Sequence, residues 1–156
     1  MTIRRFRESD REILKEITAE SFDGVSIDQN IERKFGLICG TDWQWRKKRH
    51  IDWDVEANAE GILVAEEGGE VVGYITTRLD KSTGIGWIPN LAVAAGWRGK
   101  GIGAAIVEAG LRYLKDAGMK YAKIETLDQN EAGTKWYPRL GFKEVARQIH
   151  YLMELE

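Results

Sequence analysis

The apolar positions change period along the chain, and that change divides it. Over Thr2–Arg7 apolar Ile3 and Phe6 are set among charged residues, as in a short strand. Ile13, Leu14, Ile17 and Phe22 then recur at helical spacing behind Ser9-Asp10, with Glu12 placed for a capping box with Ser9. A second helical stretch carries Ile31, Phe35 and Ile38 and ends near Gly40. Thr41-Asp42 can cap a third, in which Trp43, Lys47 or Arg46, His50 or Ile51, and Asp54 recur through about residue 57.

From residue 62 the period shortens. Ile62–Glu67, Gly68-Gly69 and Val71–Leu79 read as a β-hairpin with a Gly-Gly turn. Gly84–Ala95 reads as one mostly apolar strand. Ile102, Ile106, Ala109, Tyr113 and Ala117 then make the stripe of a helix over 101–117, and Gly118 stands at its C-cap position. A strand over 121–127, a short helix over 129–137 and a strand over 142–155 complete the order. One helix joins strand 87–95 to strand 121–127, so the crossover makes those two parallel. The predicted fold class is mixed α/β with antiparallel hairpins. The length of 156 residues, without repeat or linker, predicts one domain over 1–156.

Composition sharpens this at one point. The chain holds 17 Gly and 2 Pro, where average usage would give roughly 11 and 8. Disorder enriches both together, so these glycines mark single places where backbone turns or approaches something closely. A net charge of −2 argues against a dedicated nucleic-acid binder. The Arg46-Lys47-Lys48-Arg49-His50 run, set among Asp42, Asp52 and Asp54, reads as a solvated helix face. Cys39 is the only cysteine, and His50 and His150 lack metal-ligand spacing, so neither disulfide nor metal is expected. Trp43, Trp45 and Trp53 read as core aromatics. Met1–Arg7 runs into Glu8-Ser9-Asp10 with no apolar signal core, and the longest apolar runs fall short of a membrane span. The expectation is a cytoplasmic protein with no membrane partner.

The glycines are densest in Gly96-Trp97-Arg98-Gly99-Lys100-Gly101-Ile102-Gly103, at the passage from strand to helix. Glycines at alternate positions let backbone N–H groups face a ligand, and a helix N-terminus with Arg98 and Lys100 adds positive potential. The segment reads as a phosphate cradle; a tight turn alone explains one or two of the glycines. It is no P-loop, because Ile102 stands where that motif needs Lys. Gly99-x-Gly101-x-x-Ala104 also satisfies a dinucleotide fingerprint, with Glu125 placed for a ribose hydroxyl, but too little chain follows for the rest of a doubly wound sheet. Downstream, Asn130 is a natural helix N-cap, and Tyr137 lies two turns on, near the same face. Pro138 is expected to stop that helix, and Gly141-Phe142 opens the next strand.

Together the two segments resemble the GNAT superfamily of acyl-CoA-dependent N-acyltransferases. The family's phosphate loop, [RQ]-x-x-G-x-[GA], is matched by Arg98-Gly99-Lys100-Gly101-Ile102-Gly103. Its later motif is matched by Asn130, Tyr137 and Gly141-Phe142. The resemblance implies a mostly antiparallel sheet with a splayed central parallel strand pair, flanked by helices. It implies acetyl-CoA as co-substrate, with Leu91, Ala92 and Val93 offering backbone to the pantetheine arm and thioester. Arg98, Gly99, Lys100, Gly101, Ile102 and Gly103 would hold the pyrophosphate, Asn130 would contact the pantetheine amide region, and Tyr137 would protonate the departing thiolate. The acceptor would be a primary amine of a small molecule or peptide. Many relatives carry a carboxylate on the strand before the loop, where this chain has Ile85-Gly86-Trp87-Ile88-Pro89-Asn90. The base is therefore open among Glu125, Asp23 and a water ordered by Asn90, and a non-catalytic acyl-CoA sensor is the alternative function.

The C-terminus departs from the family's usual hairpin. Lys143–Glu156 contains no Gly, Pro, Asn or Asp, and Val145, Arg147, Ile149, Tyr151, Met153 and Leu155 share one face. One long edge strand is expected, a candidate for pairing with a second subunit in a homodimer.

Overall fold

The Gly68-Gly69 turn sets the centre of the sheet. In the computed structural model, which describes residues 1–156, the chain runs β1 (Thr2–Arg5), α1 (Arg11–Ser21), α2 (Ile27–Phe35), α3 (Trp43–Asn58), β2 (Leu63–Glu67) and β3 (Glu70–Ile75). It continues through β4 (Ile85–Ile88), β5 (Leu91–Val93), α4 (Ile102–Asp116), β6 (Tyr121–Ile124) and α5 (Glu131–Arg139). One sheet has the antiparallel order β1-β2-β3-β5, and β4 pairs with β6 in parallel.

Helices cover both faces of the larger sheet. Leu14 and Ile17 of α1 and Ile51 of α3 pack with Ile62, Val64, Tyr74 and Ala92. Ile102, Ile106 and Leu114 of α4 pack with Ala65, Val72, Ile75, Ile88 and Met119 on the other side. A bulge in β3 reconciles the two faces. Glu66 pairs with Val71 but Ala65 with Gly73, so Val72 is an extra residue and the alternation reverses after it. Val72 and Tyr74, two apart, consequently bury toward opposite layers. Each fully buried Ile or Leu here contributes roughly 1.5–3 kcal/mol by its removal from water.

Several local expectations are corrected. The Ser9–Glu12 capping box does not form. Asp10 is buried instead, accepting the Arg7 N–H at 2.7 Å and both arms of the Arg4 guanidinium at 2.8 and 3.0 Å. These charge-assisted bonds hold its carboxyl below the usual carboxylate range. The second helix ends at Phe35 rather than near Gly40, because Gly36 turns out with φ 71° and Ile38 pairs with Thr41. Pro138 does not stop α5 at once; it lies inside the last turn, and the helix runs one residue past it to Arg139. Strand 84–95 is two strands. The predicted strand over 142–155 is absent, and that segment runs unpaired and exposed.

The solvated reading of residues 46–50 fails at Lys47, which is 7% exposed. Of the three α3 tryptophans only Trp43 is core; Trp45 and Trp53 are half exposed and flank the Arg49 guanidinium.

Candidate functional site

A change of partner at Pro89 creates the site. β4 runs parallel to β6 from Ile85↔Tyr121 to Ile88↔Ile124, with Trp87 also bridged to Arg78. Beyond Pro89, which has no N–H to donate, the Asn90 carbonyl accepts the Thr76 N–H at 2.8 Å and the chain follows β3 instead. The two parallel strands therefore part after Ile88 and Ile124. On the far side of β5 the Ala94 N–H donates to Val72 at 2.9 Å. Residues 90 and 94 thus turn their backbone toward β3, as does Ala92 opposite Tyr74. By alternation, Leu91 and Val93 turn theirs into the gap. Of the three residues expected to offer backbone there, Ala92 is corrected: its peptide groups lie in the β3–β5 ladder and its side chain is buried.

The glycine-rich segment closes one end of this gap. Ala95–Trp97 form a single 3-10 turn, and Gly99 and Gly101 take φ +74° and +81°. Gly101 is the N-cap of α4, so no side chain satisfies the first-turn N–H groups, and the space where Cβ atoms would stand at Gly99 and Gly101 is open. Gly103 serves differently: a Cβ there would come within 3.0 Å of Trp136, so its absence lets α5 pack against the start of α4. The Ile102 side chain is buried, leaving only its N–H for a ligand. Arg98 and Lys100 are exposed. Arg98 folds back, donating from Nε to the Val93 carbonyl at 3.0 Å and from Nη2 to Ser21 at 3.1 Å, while Lys100 Nζ lies 4.7 Å from the Trp97 ring centre. The open α4 terminus, positive-φ glycines and nearby cations fit a pyrophosphate.

α5 supplies the opposite wall. Asn130 caps it, accepting the Gly133 N–H at 3.1 Å and donating to Thr126 at 2.9 Å. Tyr137 lies between Trp136 and the edge of Phe142, with centroids 5.5 and 6.1 Å away, and burial raises its phenol to about 12. It keeps its proton throughout the physiological range. Gln129, just before this cap, donates to the Gly24 carbonyl at 2.8 Å and accepts from Asn30 at 2.8 Å. Since Ser21, at the end of α1, reaches Val93 on the other arm, this link spans the mouth of the gap.

Sequence reasoning missed a buried polar cluster behind the partner change. Asp54 accepts from Asn90 Nδ2 at 2.6 Å, Thr76 at 2.8 Å and Arg78 at 2.9 Å. Lys47 Nζ donates to Asn90 Oδ1 at 2.9 Å and lies 4.0 Å from the Phe22 ring centre. Burial lowers its ammonium to about 8, against the pull of Asp28 and Asp54. Burial likewise lowers His50 to about 4, so His50 is neutral. The signal was present: Lys47, Ile51 and Asp54 fall on one helical face. Asn90 is itself buried, with its side-chain amide bonded to Asp54 on one side and to Lys47 on the other. Of the other base candidates, Asp23 accepts from Gln29 at 2.8 Å, and Glu125, mostly exposed, accepts from the Trp87 indole at 2.5 Å.

Comparison with known proteins agrees with this architecture. The chain belongs to the acetyltransferase (GNAT) family, whose family model matches residues 26–142. It is 34% identical over 94 residues to a mycothiol acetyltransferase of Streptomyces avermitilis, a match covering 60% of this chain and 30% of that one. It is 24% identical over 143 residues to an uncharacterized N-acetyltransferase of Methanocaldococcus jannaschii, covering 85% and 63%. The chain thus spans less than two thirds of the length of these relatives. Among solved structures, the PaiA N-acetyltransferase of Thermoplasma acidophilum in complex with coenzyme A superposes with TM-score 0.72 at 20% identity, covering 91% of this chain and 89% of that one. A Pyrococcus horikoshii protein superposes with TM-score 0.74 at 20% identity, covering 94% and 91%. No helix is long and apolar enough to cross a membrane.

Proposed function

We propose that the chain transfers an acetyl group from acetyl-CoA to a primary amine by direct attack in a ternary complex. The observation that carries this reading is the open N-terminus of α4 beside β5, where Leu91 and Val93 turn their backbone away from β3. A pyrophosphate on the first N–H groups of α4 would leave an attached thioester arm directed along β5. Bound there, the coenzyme supplies an acyl carbon already activated by a thiolate leaving group. The Leu91 and Val93 peptide groups orient the arm, and a backbone N–H in the gap stabilises the carbonyl oxygen as it becomes anionic. Arg98 positions β5 through the Val93 carbonyl, while Gly99, Lys100 and the N–H groups of Gly101, Ile102 and Gly103 face the pyrophosphate. Asn130 holds the first turn of α5. The amine nitrogen bonds to the acyl carbon, and the C–S bond then breaks as Tyr137 passes its phenolic proton to the sulfur. The proton shed by the nitrogen returns to the Tyr137 oxygen through solvent.

Thiol release from acetyl-CoA, screened across amines, polyamines, aminoglycosides, amino acids and peptide N-termini, tests the proposal. Amine-dependent release is expected with at least one class. Coenzyme binding without release from any of them favours a non-catalytic acyl-CoA sensor. One observation supports that second reading: Asp54, bonded to Asn90 at the strand break, is wholly buried and spent on three hydrogen bonds.

A further inference from the structure

Two features of this chain lack a partner, and they are complementary. After Phe142, whose N–H is held by the Tyr137 carbonyl at 3.2 Å, no backbone hydrogen bond ties the tail to the body. Val145, Ile149, Tyr151, Met153 and Leu155, all on one face, are 94, 78, 88, 75 and 84% exposed. Meanwhile β6 pairs only with β4, so its outer edge presents unpaired backbone. That edge is patterned like the tail. Ala122 and Ile124 pack inward beside the core, whereas Tyr121 and Lys123 face out.

We infer that the tail of one copy adds as a strand to the β6 edge of a second copy, and that the exchange is reciprocal. The apolar row of the tail then extends the inward row of Ala122 and Ile124. Its other row, which includes Glu144, Gln148 and Glu154, lies beside Lys123. Length favours a second copy over the chain's own edge. β6 has four residues, about 13 Å of edge. The tail after Phe142 has 14 residues and reaches about 45 Å when extended. Folding back would leave most of it in water, whereas two exchanged tails continue past β6 and cover one another around a two-fold axis. Reciprocal exchange pairs both β6 edges and closes the assembly about a two-fold axis.

Light scattering on the full chain at micromolar concentration should give twice the chain mass, and a monomer overturns the inference. Truncation after Phe142 should give a monomer, as should the double substitution Ile149→Lys, Met153→Lys. The latter alters side chains that are 78 and 75% exposed in the isolated chain, so it also guards against a truncated chain that fails to fold. A dimer that survives in the folded double variant overturns the exchange. Cross-linking assigns the edge. In a Cys39→Ser background, Lys123→Cys is combined in turn with Ala146→Cys, Gln148→Cys and His150→Cys and treated with a short bismaleimide. At least one pair should yield a covalent dimer on denaturing gels. Cross-links only within single chains, or none at all, overturn it.

Discussion

Helices α4 and α5 both begin where the two parallel strands part, yet their first turns are built in opposite ways. α5 opens on Asn130, whose side chain accepts the Gly133 N–H and closes the end against solvent. α4 opens on Gly101, which has no side chain to give, at a φ of +81°. The longer helix, 15 residues against nine, is the one left open. Its aligned peptide dipoles have no internal counter-charge and present themselves to an external anion. A capped terminus is a joint and an uncapped one a socket. The contrast underlies the different work proposed for the two helices, α4 in binding and α5 in holding Tyr137.

The sharpest test of that division is on α5. Tyr137→Phe should lower turnover by about 100-fold or more, the usual contribution of a positioned acid, while coenzyme affinity stays unchanged in calorimetry. Equal loss of both would remove the acid role. On α4, Gly101→Val forces a β-branched residue to positive φ at a strain of roughly 1–3 kcal/mol. If that strain falls on the bound geometry, coenzyme affinity drops about 5- to 150-fold. An unchanged affinity would show that the socket is not the binding element. Asn130→Ala removes only a cap and should cost about 1 kcal/mol of stability, read as a small drop in melting temperature. A large loss of coenzyme affinity with little change in stability would instead give Asn130 a direct contact. Smallest of all is the pH response: with its phenol raised to about 12, Tyr137 stays protonated as pH rises from 7 to 10. Turnover should show no alkaline fall over that interval, and a fall present in the parent but absent from Tyr137→Phe would contradict the burial of the ring.

What was legible in the sequence was local. The Gly68-Gly69 turn, the Asp42 and Asn130 caps and the glycine loop are each set by a few consecutive residues, and each is found. What escaped depends on residues far apart in the chain. Nothing local says that strand 84–95 exchanges β6 for β3 at Pro89, since both halves are apolar and the choice is made by the edges they meet. Arg98 belongs to the loop motif, but its guanidinium is drawn back by Val93 and Ser21. Periodicity left Lys47 or Arg46 open on α3 and the charge of the 46–50 run argued for solvent; Asn90 and the Phe22 ring decide for burial of Lys47. The tail's alternation was visible, but its pairing was not, because a strand needs an edge and the chain's own short β6 is a poor match.

The Gln129 link across the mouth carries an energetic consequence. Its bonds to Gly24 and Asn30 are solvent-exposed, and each such bond is worth about 0.5–1.5 kcal/mol net. Breaking all three, a second bond to Asn30 running from Gln129 Nε2 to Oδ1 at 3.2 Å, therefore leaves the mouth open in roughly one molecule in 14 at the weak end and roughly one in 2,000 at the strong end. On the proposed function, an amine acceptor that enters past Gln129 binds only this open fraction, and its apparent affinity falls in that proportion.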